Sequence, residues 1–324
     1  MIYRILRSYV LFLLLSGAAL AQNVPARHRV LIISVDGLRP DVMLRANAPI
    51  LHGLLERGSF TMWAQTTAVS VTLPSHVSML TGARPQIHQI EWNHDLPLSE
   101  PIYPKVPTLF ELAHKAGYTT GMVAGKDKFA VLNKPGTIDS VFIPKEDAIP
   151  DEQVLEQAMK VIEYGPPQVL FIHLPQVDHV GHALGWGSSE QLAAIAYADS
   201  CIGKILDAIR AKDGDDDRLT IISADHGGAG KNHGADDVRS RNIPWIAVGA
   251  TVRRGLDLTS YENLTIRTED TFATACYWLD LKPQAGLDGK PVLQVFEPKD
   301  QQLLTDTSSP ATQPVASSAR SEQK

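Results

Sequence analysis

The chain has 324 residues, of which 44% are hydrophobic and 20% charged, with a formal net charge of −6. That length favours one large domain or two modest ones, and the composition is that of a globular protein. No run of lysines and arginines occurs, so a protein built to grip the phosphates of nucleic acid is not expected, whereas a small anionic substrate held by metal ions is compatible with the charge.

Residues 1–21 read as a signal peptide. Arg4 and Arg7 give a positive start, Tyr9 to Leu15 an apolar stretch, and Ala19-Leu20-Ala21 an A-x-A cleavage signal. The apolar stretch falls short of the roughly 20 residues that span a bilayer, so export to the periplasm or beyond is expected and stable membrane insertion is not. Position 22 is a glutamine, not the cysteine of a lipoprotein anchor.

Val30 to Val35 is an apolar, β-branched run that ends at Asp36-Gly37 and predicts a buried strand. A helix is expected from about Pro40 to Arg57, with proline in its first turn, where a missing N–H costs least. Phe60 to Val71 is strand-like and leads into a helix from Thr72 to about Leu80. Segment 84–107, with five prolines, reads as a loop over the site. Further strands are expected at Thr119 to Ala124, Gln168 to Leu174, Leu219 to Ser223 and Trp245 to Val248. Leu192, Ile195, Ile202, Ile205, Leu206 and Ile209 give helical periodicity from Ser188 to about Ala211, and Thr268 to Leu279 reads as a closing helix. Alternating strands and helices predict an α/β fold, a mostly parallel central sheet with helices on both faces. It occupies residues 22–297. Residues 298–324 turn to Ser, Thr, Gln, Pro and Ala and read as a disordered tail. Cys201 and Cys276 are compatible with a disulfide and equally with two buried thiols.

The chemistry-bearing residues lie just beyond strand ends. Asp36 follows the first strand, Asp178 and His182 follow Gln168 to Leu174, and Asp225 and His226 follow Leu219 to Ser223, with His233 seven residues on. In open α/β sheets, ligands bind outside the carboxyl ends of the strands. Asp178 and His182 are four apart, which one helical turn places on one face. Gly227 and Gly228 break the strand after His226 and let adjacent side chains converge. Singly, an Asp before Gly is a turn residue and a histidine in a glycine-rich loop is solvated. His76, His88, His94, His173 and His179 are rival candidates. The recurrence at several strand ends is what points to two divalent ions of the zinc type. Thr72 is placed at a helix N-cap, which on its own is a plain capping role. A threonine hydroxyl becomes a credible nucleophile only where a metal and a helix N-terminus favour its alkoxide.

Val35-Asp36-Gly37, Thr72-Leu73-Pro74-Ser75-His76, Asp178-x3-His182 and Asp225-His226-Gly227 together resemble the alkaline phosphatase superfamily, in its type I phosphodiesterase/nucleotide pyrophosphatase branch. The resemblance runs from Val30 to about Phe296. It implies one zinc held by Asp178, His182 and His233, and a second held by Asp36, Asp225 and His226 with Thr72 beside it. It makes Thr72 the nucleophile that becomes phosphorylated, and Asn93, with the backbone N–H after Thr72, a donor to a phosphate oxygen. The chain departs from nucleotide pyrophosphatases in one respect: no histidine follows His233, and Gly230-Lys231-Asn232-His233-Gly234 resembles short bacterial members.

Lys126-Asp127-Lys128 follows a strand end. It is either a solvated turn or a pair of substrate-binding cations resembling those of phosphonoacetate hydrolases. Two fixed cations suit a dianionic monoester or a substrate with a second anion. The expected activity is therefore a phosphoric ester hydrolase acting on a small phosphate ester, with phosphodiesterase chemistry first. A phosphate monoesterase or phosphonoacetate hydrolase-like enzyme is the alternative, followed by a non-catalytic metal- or phosphate-binding protein. The Cys/Ser-x-Pro-x-Arg sequence of sulfatases is absent around Thr72.

Overall fold

The computed structural model describes residues 28–94, 96, 101–214 and 217–297. The expected signal peptide and tail lie outside the described residues. Strand β1 (Arg29–Val35) is buried from Val30 onward, because β5 (Val169–Leu174) and β6 (Arg218–Ser223) flank it in parallel and helices cover both faces. This is why its sequence is a continuous apolar run and not an alternating one. The sheet continues through β3 (Thr120–Val123) to β4 (Ser140–Phe142) on one side. On the other it continues through β7 (Asn242–Val248) and β2 (Ser59–Gln65) to β8 (Leu256–Asp257). The order is β4-β3-β5-β1-β6-β7-β2-β8, and only β7 runs against its neighbours. The mostly parallel α/β sheet expected from the sequence is what the chain forms.

One helical group, Pro49–Arg57, Asp151–Glu163 and Ser189–Asp213, packs together on one face. Thr72–Thr81, Leu109–Lys115 and Thr268–Trp278 pack on the other. Cys201 and Cys276 sit in opposite groups, and both are buried and unpaired.

Three expectations are corrected. The stretch from Pro40 to Arg57 is two helices, Pro40–Arg45 and Pro49–Arg57, because Pro49 has no N–H to continue the first and instead opens the second. The strand after Phe60 stops at Gln65, and residues 66–71 form a loop pinned by side-chain hydrogen bonds. Thr72 is the first residue of its helix and Val71 occupies the N-cap position. Among the described residues, no helix is long and apolar enough to cross a membrane.

Candidate active site

Parallel strands place their carboxyl ends at one edge, and that edge gathers the residues read from the sequence. Asp36 follows β1, Asp178 and His182 lie on the helix Gln176–Leu184 after β5, and Asp225 and His226 follow β6. His233 comes from the glycine-rich loop beyond. Thr72 enters from its helix, with Oγ1 3.4 Å from His226 Nε2. Two groups have the spacing of metal ligands: Asp178, His182 and His233, and Asp36, Asp178 and His226. The first is the set the resemblance implied. In the second, Asp178 stands where Asp225 was expected, although Asp225 Oδ2 is also only 3.2 Å from His226 Nε2.

Each carboxylate has one oxygen held and one left over. Asp36 Oδ2 accepts from His173 Nε2 at 2.9 Å and lies 2.7 Å from Lys126 Nζ. Asp178 Oδ2 accepts from the same Lys126 Nζ at 2.7 Å, and Asp225 Oδ1 accepts from the Gly37 N–H at 3.0 Å. The other three oxygens, Asp36 Oδ1, Asp178 Oδ1 and Asp225 Oδ2, are buried and have no hydrogen-bond partner. Such oxygens are costly in a folded interior. They face the histidines: Asp36 Oδ1 is 3.3 Å from His226 Nε2, and Asp178 Oδ1 is 3.4 Å from His182 Nε2 and 3.7 Å from His233 Nε2.

The histidine tautomers complete the argument. His182, His226 and His233 each turn Nδ1 to a backbone carbonyl, of Lys231, Gly227 and Ser70 respectively, at 2.7–2.9 Å. A carbonyl only accepts, so Nδ1 carries the proton, and in the neutral ring Nε2 carries a lone pair. That is the arrangement a metal-ligating histidine adopts. Burial pushes His226 below the ordinary histidine range and His233 down to about 4, so both rings are neutral at pH 7. Among the carboxylates, burial together with the charges of Asp36 and Asp178 pushes Asp225 well above the usual range. Burial acts on Asp36 too, but Lys126 and His173 more than offset it and hold Asp36 well below. Lone pairs and unpartnered carboxylate oxygens converging at one edge make a candidate cation-binding centre, and the donor set of imidazole and carboxylate suits a divalent transition metal.

The Thr72-Leu73-Pro74-Ser75-His76 element explains how the helix that begins at Thr72 is fixed to this edge. Ser75 Oγ donates to the Asp225 carbonyl at 2.8 Å. His76 donates from Nδ1 to the Thr72 carbonyl and accepts at Nε2 from the Ser34 hydroxyl, both at 2.8 Å, so it ties the helix to β1 and is not free to bind an ion. His173 acts one layer behind the cluster: its Nδ1 accepts from the Gly125 N–H and its Nε2 supports Asp36. His88 is buried elsewhere against Ser78.

Asn93, Lys126 and Lys128 line the same cavity of about 130 Å³ as Thr72, Asp178 and His182. Asn93 Oδ1 accepts from the Leu73 N–H at 2.8 Å, so the backbone donor expected to serve the substrate is already occupied. Lys128 Nζ donates to the Asn93 carbonyl at 3.0 Å. A larger groove of about 400 Å³ lies by Trp63 and Leu44, but it holds none of these carboxylates.

Trp186 is the structural member of the site that the sequence reading passed over. Its Nε1 donates to the Gly37 carbonyl at 2.8 Å and its backbone N–H to Gly230. A Cβ on Gly228 would lie 2.3 Å from its ring. The signal available was a tryptophan between two glycines, Gly185 and Gly187, which marks a tight turn presenting a large ring.

The sequence profile of the type I phosphodiesterase / nucleotide pyrophosphatase family matches residues 30–239, a span that takes in all of these residues. The chain belongs to this family. An uncharacterized pyrophosphatase/phosphodiesterase of Schizosaccharomyces pombe is 27% identical over 224 residues, covering 61% of this chain and 44% of that protein. A 2,3-bisphosphoglycerate-independent phosphoglycerate mutase of Prochlorococcus marinus is 26% identical over 285 residues, covering 84% of this chain and 48% of the other. Among solved structures, an inactive threonine-to-alanine variant of murine ectonucleotide pyrophosphatase / phosphodiesterase 5 in complex with AMP superposes with a TM-score of 0.65. It is 13% identical and covers 83% of this chain and 100% of the other, a likeness of fold. This family member spans less than half the length of the curated relatives it matches.

Proposed function

We propose that the chain is a two-metal phosphoric ester hydrolase that acts through a phosphorylated Thr72. The observation that carries this reading is the convergence of three unpartnered carboxylate oxygens and three imidazole lone pairs beside the Thr72 hydroxyl. Asp178, His182 and His233 would hold one ion, and Asp36, Asp225 and His226 the other, with Asp178 within reach of both. The ions, proposed to be zinc, would neutralise the phosphate and favour the Thr72 alkoxide.

The chain's own residues then have distinct tasks. Thr72 Oγ1 forms a bond to phosphorus as the bond to the leaving oxygen breaks, and the hydroxyl proton ends on the departing alcohol. Water then cleaves the phospho-threonine and releases phosphate or a phosphate monoester. Asn93 is oriented from two sides, by the Leu73 N–H on its Oδ1 and by Lys128 on its carbonyl, which leaves its NH2 to donate to a phosphate oxygen. The helix beginning at Thr72 adds the positive end of its dipole.

Family membership favours a diester substrate. A specific feature favours a second reading, a monoester or phosphonate: two lysines line a cavity close to the size of a single phosphoryl group with little more. Hydrolysis of bis-p-nitrophenyl phosphate, p-nitrophenyl phosphate and a nucleotide p-nitrophenyl diester, each with and without chelator, decides between them. Chelator-sensitive preference for diesters supports the first reading and preference for the monoester the second. Absence of chelator-sensitive turnover on all three refutes the diester and monoester readings and leaves a phosphonate hydrolase or a metal- or phosphate-binding protein. We also propose export, which rests on residues 1–21.

A further inference from the structure

Lys126 stands where the separate parts of the site meet. It follows the end of β3, and its side chain is 7% exposed. Its Nζ is 2.7 Å from Asp36 Oδ2 and 2.7 Å from Asp178 Oδ2. These carboxylates arrive from different parts of the chain, one from the end of β1 and one from the helix after β5. In both, the oxygen Lys126 does not touch is the buried one without a hydrogen-bond partner. An aspartate can turn about its last bond and exchange its oxygens. A short, charge-assisted bond to Oδ2 stops that turn and keeps Oδ1 aimed at the imidazole lone pairs.

We propose that Lys126 is a positioning residue for the metal centre: its ammonium bridges Asp36 and Asp178, fixes which oxygen each presents, and sets the distance between the two halves of the ligand set. This rests on the two-ion reading above and deepens it. It gives Lys126 a task distinct from substrate binding, for which one of its three donors remains. Lys128, two residues on, makes no such contact; its Nζ meets the Asn93 carbonyl and lies 3.7 Å from exposed Asp147.

Simple electrostatics argues the opposite sign, since a fixed positive charge beside two cations repels them and its removal should tighten their binding. Geometry decides against this. Without Lys126, Asp178 Oδ2 loses the one side-chain donor it has here, and Asp36 Oδ2 retains His173 alone. Two buried, like-charged carboxylates would then be free to rotate, and the turn removes a preorganised ligand oxygen. Partners that orient ligating groups typically matter 10–100-fold in metal affinity.

The test is calorimetric titration of the chelator-treated full chain with Zn2+, comparing wild type with Lys126→Met, Lys126→Gln and Lys128→Met, each checked for folding by circular dichroism. Lys126→Met should lose roughly 10–100-fold in zinc affinity. Lys126→Gln, whose amide can still reach one carboxylate, should lose less, and Lys128→Met should match wild type. Zinc binding by Lys126→Met as tight as wild type, or tighter, overturns the proposal. So does an equal loss in Lys128→Met, which would trace the effect to the lining of the cavity and not to the bridge. Should Lys126→Met fail to fold, the sign of the change in Lys126→Gln decides. A wild-type chain that takes up fewer than two ions strikes at the two-ion reading itself, a result visible before any variant is compared.

Discussion

His182 Nε2 and His233 Nε2 lie 3.1 Å apart, and with both rings neutral neither has a proton to share, because each donates its Nδ1–H to a backbone carbonyl. Two lone pairs at that distance repel, and Asp178 Oδ1 beside them adds negative charge. A divalent ion held by these three residues would convert the repulsion into coordination. His233→Ala should therefore remove one of the two ions and leave the other, because the Asp36 and His226 side keeps its ligands. Elemental analysis of the purified variant reads this directly. An unchanged metal-to-protein ratio would take His233 out of the ligand set.

Thr72 sits at the first turn of its helix with its hydroxyl 3.4 Å from His226 Nε2, and among the described residues no other hydroxyl lines the cavity. Thr72→Ala should lower turnover by roughly 10⁴-fold or more while two ions still bind. Thr72→Ser keeps the hydroxyl and should retain measurable activity. If the alanine variant turns over substrate at the wild-type rate, the attacking group is water and the covalent scheme is wrong.

How much of this was legible in the sequence follows from what each feature depends on. The strand of Val30 to Val35 could be read because a strand buried on both faces must be apolar at every position. Asp36, Asp178, His182, Asp225 and His226 could be read because polar residues directly after such strands fall on one sheet edge whatever the tertiary detail. Pro49 carries two messages in one residue: a proline at the first position of one helix is also a stop for the one before it. Strands β4 and β8 have three and two residues, too few for any period to declare itself. Lys126 illustrates the limit. Its place in a Lys-x-Lys pair suggested a surface turn or a substrate site. That its nitrogen lies between two aspartates 90 and 52 residues away depends on how β1, β3 and β5 align, which no local pattern encodes.

Asp151 gives a pH-dependent stability that can be measured without any ion present. It opens the helix Asp151–Glu163 and is fully buried. Oδ1 accepts from the Gln176 N–H at 3.0 Å, and Oδ2 has no hydrogen-bond partner. Burial pushes its pKa up to about 7, the Gln176 N–H opposes this, and the charge of Asp36 adds to it. A carboxyl whose folded pKa stands above its unfolded value of about 3.9 binds its proton more tightly in the fold, so the folded state is favoured at low pH. Its contribution is therefore full below about pH 4, falls as pH rises to about 7, and is constant above that, a loss on the order of 4 kcal/mol. Asp151→Asn keeps the oxygen that faces Gln176 and cannot ionise. Urea unfolding of the metal-free proteins should show the variant gaining on wild type between pH 4.5 and pH 8. Parallel curves across that range would mean that Asp151 ionises in the fold as readily as in the unfolded chain.

Gly37 couples the backbone of β1 to Asp178 and Asp225. Its φ is +71°, a conformation that side chains with a Cβ adopt only with strain. A Cβ there would stand 2.9 Å from the Cα of Asp178, a backbone atom that cannot swing aside. The Gly37 N–H holds Asp225 Oδ1, and its carbonyl receives Trp186 Nε1. Gly37→Ala thus strains the turn by about 1–3 kcal/mol and displaces Asp178 and Asp225 together. Thermal unfolding of the metal-free variant should drop by several degrees. Zinc affinity should fall as well, because the two aspartates move apart by tenths of an ångström in a site whose ligands tolerate little. Stability and affinity report different things here. A variant that loses stability and binds zinc as wild type does would confine Gly37 to the turn and free Asp178 and Asp225 from its control, whereas loss of both ties the geometry of the metal centre to a single backbone angle.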